Sequence, residues 1–302
     1  MDQGRFGASG HYANSQFFPF PSLDACVIIG FVVFPRLLPA LLLSIPWAQL
    51  SAQNGPRVNV PAGVPRNPYE DRKKVYPWRK NITATVFWIG EKPGGANPTS
   101  NHHSSWDGRW QKNFGGYDNP DPAARANYAP KRFRPGLNSF YVALPYNDCV
   151  DHRRHRPEAS RVVPWFARYS PQPGKTSCRG RWLQIFHKGK VCYAQWEDCG
   201  PFLTDDWKYV FGNHPPRNAK NDKAGIDVSP AVRDFLGLKS GEKVHWRFVE
   251  FGNIPRGPWA WYGQNNPFVN PEANPDLQAA RRYYEYLKKR RDEAYQRKRL
   301  GS

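Results

Sequence analysis

The sequence predicts a mainly β domain, a small β-barrel of short strands with long loop insertions, followed by a basic helix. Three observations carry that expectation. Between residues 81 and 251 the apolar runs are short, rich in β-branched and aromatic residues, and separated by stretches of Gly, Pro and Asn. One brief helical pattern interrupts them, so strands do not alternate with helices as a parallel βαβ repeat requires. The chain has 302 residues with 12 Trp, 15 Tyr and 18 Phe, enough apolar mass for a substantial core.

The elements follow in order. Residues 27–50 read VIIGFVVFPRLLPALLLSIPWAQL, an apolar run broken by Arg36 and by Pro35, Pro39 and Pro46, then Ser51 and Ala52. This is the grammar of a secretory signal over residues 1–52, with a membrane anchor as the alternative. Residues 53–80 are rich in Pro, Asn and charge and read as an extended lead-in. TATVFWI at 83–89 is a strand, and 91–137 is a long aromatic loop of the kind that is either functional or disordered. FYVAL at 140–144 is the next strand. WLQIF at 182–186 and VCYAQW at 191–196 flank HKGK and form a hairpin. After a second aromatic loop, 225–228 is a short strand. Ser229 then caps a helix over 231–236, with Pro230 at its first position and Gly237 closing it. VHWRFV at 244–249 closes the unit with Val244, Trp246 and Phe248 on one face. Residues 252–302 hold an aromatic coil and a basic helix over 276–299, carrying Tyr283, Tyr284, Tyr286, Leu287 and Tyr295. That helix packs an aromatic stripe on the barrel or serves as an arm for an anionic envelope surface.

Charge and cysteines bound the function. With 44 Lys+Arg against 25 Asp+Glu the formal charge is +19, which favours anionic partners. Export and the lack of a recognition motif set nucleic acid aside. In an exported chain Cys26 leaves with the signal, and Cys149, Cys178, Cys192 and Cys199 remain for two disulfides. Their places relative to the expected strands pair Cys178 with Cys192 and Cys149 with Cys199. No CxxC spacing is present, and His102, His103, His152 and His155 read as solvent-exposed loop histidines, so neither metal nor cofactor is expected.

One constellation is distinctive: a strand ending in EDCGPF at 197–202, then GIDVSPAVRDFLGL at 225–238, then a strand ending in VHWRFVE at 244–250. It resembles the six-stranded double-psi β-barrel of rare lipoprotein A, and more distantly the expansins and family-45 endoglucanases. The resemblance covers residues 81–251 with large insertions and is most specific over 178–250. It implies cell-wall or plant-type polysaccharide as partner. It also implies that Asp198, matching the aspartate of an Asp-Arg-Gly-Pro turn, is the catalytic acid, and that Asp227 matches the aspartate at the family's helix start. The family's histidine falls on Tyr141 here, a departure from its lytic mechanism.

Cleaving a glycosidic bond needs a carboxyl that holds its proton near neutral pH, and hydrolysis with inversion needs a second carboxylate to activate water. Asp198, Asp227 and Asp148 are the candidates. The bland alternatives are a helix-entry hydrogen bond for Asp227 and a turn anchor for Asp198. Alternation along the strand puts Glu197 on the opposite face from Asp198. Trp88, Trp106, Trp110, Tyr117, Trp196 and Trp207, with Tyr141, are the sugar-stacking or substrate-binding candidates, each with core packing as its plain alternative. The functional expectation is an exported polysaccharide-binding protein with lytic-transglycosylase-like or endoglucanase-like cleavage. Its rivals are a non-catalytic expansin-like module and an inert envelope interaction protein.

Overall fold

The computed structural model describes residues 75–300 apart from 95, 96, 98 and 170; the expected signal segment and the lead-in before residue 75 lie outside the described residues. Eight strands are found among them: β1 (Arg79–Val86), β2 (Arg125–Ala126), β3 (Ala129–Pro130), β4 (Tyr141–Leu144), β5 (Arg181–His187), β6 (Lys190–Cys199), β7 (Ile226–Val228) and β8 (Lys243–Val249). Six of them close a barrel in the order β1-β7-β4-β6-β5-β8. The β1–β7 and β4–β6 pairs are parallel, and the other four pairs are antiparallel.

Local chemistry accounts for these elements. β5 and β6 meet through Lys188 and Gly189, both at positive φ, between the pair His187 and Lys190. A two-residue turn of that kind matches the twist of the strands it joins. β8 alternates, so Val244, Trp246 and Phe248 are buried while the residues between them are not. With Leu183, Ile185, Ala194 and Trp196 they fill the barrel. β7 runs into helix α5 (Pro230–Leu236), where the Ser229 hydroxyl accepts the Val232 N–H and Gly237 at φ 66° ends the helix. The remaining helices, in chain order before and after α5, are α1 (Trp110–Phe114), α2 (Ala159–Val162), α3 (Phe166–Tyr169), α4 (Trp207–Val210) and α6 (Pro275–Leu300).

The expected barrel and C-terminal helix are both present, and among the described residues helix shares the fold with strand: α6 alone spans 26 residues and short helices occupy the insertions. Two expectations are corrected. β1 starts at Arg79, inside the expected lead-in, because the Arg79 guanidinium donates to the carbonyls of Tyr209 and Val210 and holds a polar strand start in the interior. The four cysteines among the described residues, Cys149, Cys178, Cys192 and Cys199, are free thiols. Cys192 lies within β6 opposite Ile185, whereas Cys178 precedes β5, in a turn closed by the Arg181 N–H on the Cys178 carbonyl at 3.2 Å. The Cys199 thiol donates to the Tyr146 carbonyl at 3.2 Å, and the Cys149 thiol to Asp148 Oδ1 at 3.8 Å.

Candidate active site

Strand β4 is short and buried along its whole length, and it lies between β6 and β7. Its Ala143 pairs with Asp198 on one side and with Asp227 on the other. The row Asp198–Ala143–Asp227 thus crosses three adjacent strands. Two strand spacings set the aspartate Cα atoms about 9–10 Å apart, with a methyl group between them. All three residues line one cleft of about 650 Å³.

The two carboxyls are held differently. Asp198 is 8 % exposed, and its Oδ1 accepts the backbone N–H groups of Ser105 and Cys199, each at 2.7 Å. Burial raises its pKa to about 6; the two N–H groups oppose the shift and Glu197 adds to it. Asp227 accepts a hydrogen bond from the Thr85 hydroxyl on β1. It is half-buried, yet the cleft walls desolvate its carboxyl. Burial raises its pKa to about 7, with the charges of Asp198 and Glu91 adding to the shift against the Thr85 hydrogen bond. The helix-entry role is filled by Ser229, which leaves Asp227 free of it. Gly200, the first residue of the turn, packs close to the cleft: a Cβ there would stand 3.2 Å from Asp227 Oδ2 and press on that carboxyl.

The long loop after β1 builds the opposite wall. It supplies Ser105 and a third carboxylate, Glu91, which accepts from Asn101 Nδ2 at 2.9 Å and whose pKa burial also raises. Hydroxyl and amide side chains, among them Thr99, Ser100, Asn101, Thr204 and Ser240, make up much of the lining. Such groups suit a ligand rich in hydroxyls.

The other expected site residues lie elsewhere. Tyr141 is buried beneath the cleft: its hydroxyl donates to Asp118 Oδ2 at 2.7 Å and accepts the Ile89 N–H at 2.9 Å. Asp118 is in turn paired with Arg125. Asp148 is fully buried outside the acidic cleft and accepts from the Thr176 hydroxyl and from the Ser177 N–H and hydroxyl. Trp110 and Trp196 are core residues without a face to offer; Trp110 packs edge-on against Tyr141, and Trp196 Nε1 donates to the Asp198 carbonyl. Trp88 and Trp207 are half-buried and Tyr117 is 42 % exposed, but none of the three lines the acidic cleft. Glu197 is buried at the register shift between β4 and β6, where Trp196 and Asp198 pair with the adjacent residues Val142 and Ala143, and it accepts from Arg179 Nε and Asn265 Nδ2.

Half-buried Trp106 lines a second, larger cleft of about 1070 Å³, which meets the first at Ser105. Chemistry rather than volume selects the smaller cleft as the candidate site, since it holds the carboxyls with raised pKa. Sequence reasoning missed Glu91, Thr85 and Ser105, which no motif marks; the length of the 91–137 loop was the available signal. Comparison of the chain with known protein families, curated proteins and solved structures returns no match.

Proposed function

We propose that this is an exported, polysaccharide-cleaving barrel protein whose catalytic pair is Asp198 and Asp227. The observation that carries the reading is the row Asp198–Ala143–Asp227, which gives two carboxyls of raised pKa in one cleft, held apart by a single alanine. A double-psi assignment for the barrel is supported by the two parallel pairings within a closed six-stranded ring, together with the EDCGPF and GIDVS segments.

The roles follow from the environments. Asp227 keeps its proton to the higher pH and is the donor to the glycosidic oxygen. Asp198, fixed by two N–H groups, is the base that takes a proton from water on the opposite face of the sugar ring. Inverting enzymes hold their carboxyls roughly 6.5–9.5 Å apart to admit that water; with the two aspartates on strands either side of Ala143, hydrolysis with inversion is the reading we take. Tyr141, where the resembled family has histidine, acts through Asp118 as support for β4 and not in the cleft.

Incubation with peptidoglycan, cellulose, xylan and chitin, followed by mass spectrometry of soluble products, tests the proposal. Reducing-end sugars support it. Anhydro-muramyl ends would assign lytic chemistry with a single acid, and retained protein without products would make the cleft a binding site.

The anionic envelope contact expected of the C-terminal helix belongs to the same reading. From Arg281 to Arg299 no residue of α6 is buried, and this stretch carries nine Lys and Arg against Glu285, Asp292 and Glu293. Basic residues stand on every side of it, which favours an electrostatic hold over insertion of an apolar face.

A further inference from the structure

Beyond the acidic cleft, Asp148, Cys149 and His155 bring a carboxylate, a thiol and an imidazole together. One ligand atom from each lies within 4.8 Å of the others. Asp148 and Cys149 are buried and His155 is half-buried. We infer that these three residues form a zinc-type site, with a fourth coordination position opening on the larger cleft.

The donor set selects the class of ion. Magnesium and calcium take oxygen ligands, whereas a set of one oxygen, one nitrogen and one sulfur suits a borderline cation such as Zn²⁺. A tetrahedral zinc sets its ligand atoms about 3.3–3.7 Å apart, so the triangle has to contract by about an ångström. Cys149 and His155 bracket a short loop and face each other as an isolated antiparallel bridge, with Val150 N–H bonded to the Arg154 carbonyl at 3.0 Å. The bridge already sets the two backbones opposite each other, so closing the gap falls to side-chain rotation.

The surrounding hydrogen bonds leave one donor position on each residue. Asp148 Oδ2 is occupied by the Ser177 N–H and hydroxyl, and Oδ1 by the Thr176 hydroxyl, which orients the carboxylate. The remaining position on Oδ1 faces the Cys149 thiol at 3.8 Å. A metal ion would stand where the thiol proton now lies, bonded to both Sγ and Oδ1. His155 Nε2 sits 2.9 Å from the Lys175 carbonyl, an acceptor only, so Nε2 carries the hydrogen and Nδ1 keeps the lone pair. Backbone carbonyls orient metal-binding imidazoles in this way. The ring also packs edge-on against Phe166 at 5.1 Å. Cys149 and Thr176 line the larger cleft, which can supply a water as fourth ligand. Binding forms a metal–sulfur bond and releases the Cys149 proton to solvent, one per ion, with no change of oxidation state.

The test uses the full chain stripped with a chelator and titrated with Zn²⁺ and, as a coloured substitute, Co²⁺. Native mass spectrometry counts the ions, and absorption reports a cobalt–thiolate band. One ion per chain is expected, with the band present. Cys149→Ser should remove the band, and Cys149→Ser and His155→Ala should each weaken uptake at least about tenfold. Cys192→Ser, whose thiol lies inside the barrel, should change neither. Circular dichroism keeps the comparison to folded protein, and half-buried His155 is the variant expected to fold unchanged. No thiolate band, or uptake equal in Cys149→Ser, folded His155→Ala and the parent, would overturn the inference and assign any retained metal to exposed histidines such as His102 and His103.

Discussion

Asp198 and Asp227 show how position alone separates two identical side chains. With Asp227 as donor and Asp198 as base, the active form has Asp227 protonated and Asp198 ionised. Below about pH 6 Asp198 takes up a proton, and above about pH 7 Asp227 loses one. Activity is therefore expected to peak between these values and fall on both sides, as an initial-rate pH profile on the cleaved glycan would record. Thr85→Val removes the hydrogen bond that favours ionised Asp227, so the alkaline limb should move to higher pH. Stability carries the same signature. A carboxyl raised in the folded state from 3.8 to about 7 contributes stability that is fully present below pH 3.8 and lost as pH rises through 7. Melting temperature should thus fall from pH 4 to pH 8, and Asp227→Asn, which cannot ionise, should flatten part of that fall.

At the scale of elements, β4 carries the site, and what supports it is a buried chain of hydrogen bonds. Tyr141→Phe leaves the Ile89 N–H without its acceptor and Asp118 short of one donor. The cost should be about 1–3 kcal/mol in urea unfolding, with activity per folded molecule kept because Tyr141 stays outside the cleft. The barrel elements were legible because each carries its own local signal. The HKGK turn, the Ser229–Pro230 cap and the alternation of Val244, Trp246 and Phe248 reproduce β5, α5 and β8 within a residue, while β6 runs three residues past the expected 196 to Cys199. Contacts made across the chain were not legible. Arg79 belongs to β1 through the carbonyls of α4, and Glu91 joins the acidic cleft only once the loop folds back over it. The aromatic candidates had the same difficulty, since Trp110, Trp196 and the solvent-facing Tyr117 look alike in a sequence; burial by residues far along the chain decides which ring is core. The cysteine pairing rested on Cys178 and Cys192 bracketing the hairpin strands, whereas Cys192 lies inside β6 opposite Ile185 and Cys178 precedes β5.

At the scale of the whole molecule, charge and chemistry are kept apart. The acidic cleft sits on the barrel between β6 and β7, whereas basic residues crowd the exposed length of α6 beyond Arg281. The start of α6 is tied to the body by Asp276, which pairs with Arg168 and accepts from the Tyr169 hydroxyl. Deleting residues 283–302, which spares the Arg281–Glu272 pair and the Arg282 bond to the Tyr169 carbonyl, should therefore leave the melting temperature unchanged and weaken salt-sensitive retention on a polyanionic matrix, measured at low and high ionic strength. Among the described residues no helix is long and apolar enough to cross a membrane. The central claim is that the Asp198–Asp227 pair cleaves glycan, and product release by the parent, Asp198→Asn and Asp227→Asn proteins tests it most directly. The expected result is soluble products of inverted anomeric configuration from the parent, with each variant slower by about 10²–10⁴-fold while still retained on the polymer. No product from any glycan, or equal product from all three proteins, would contradict it.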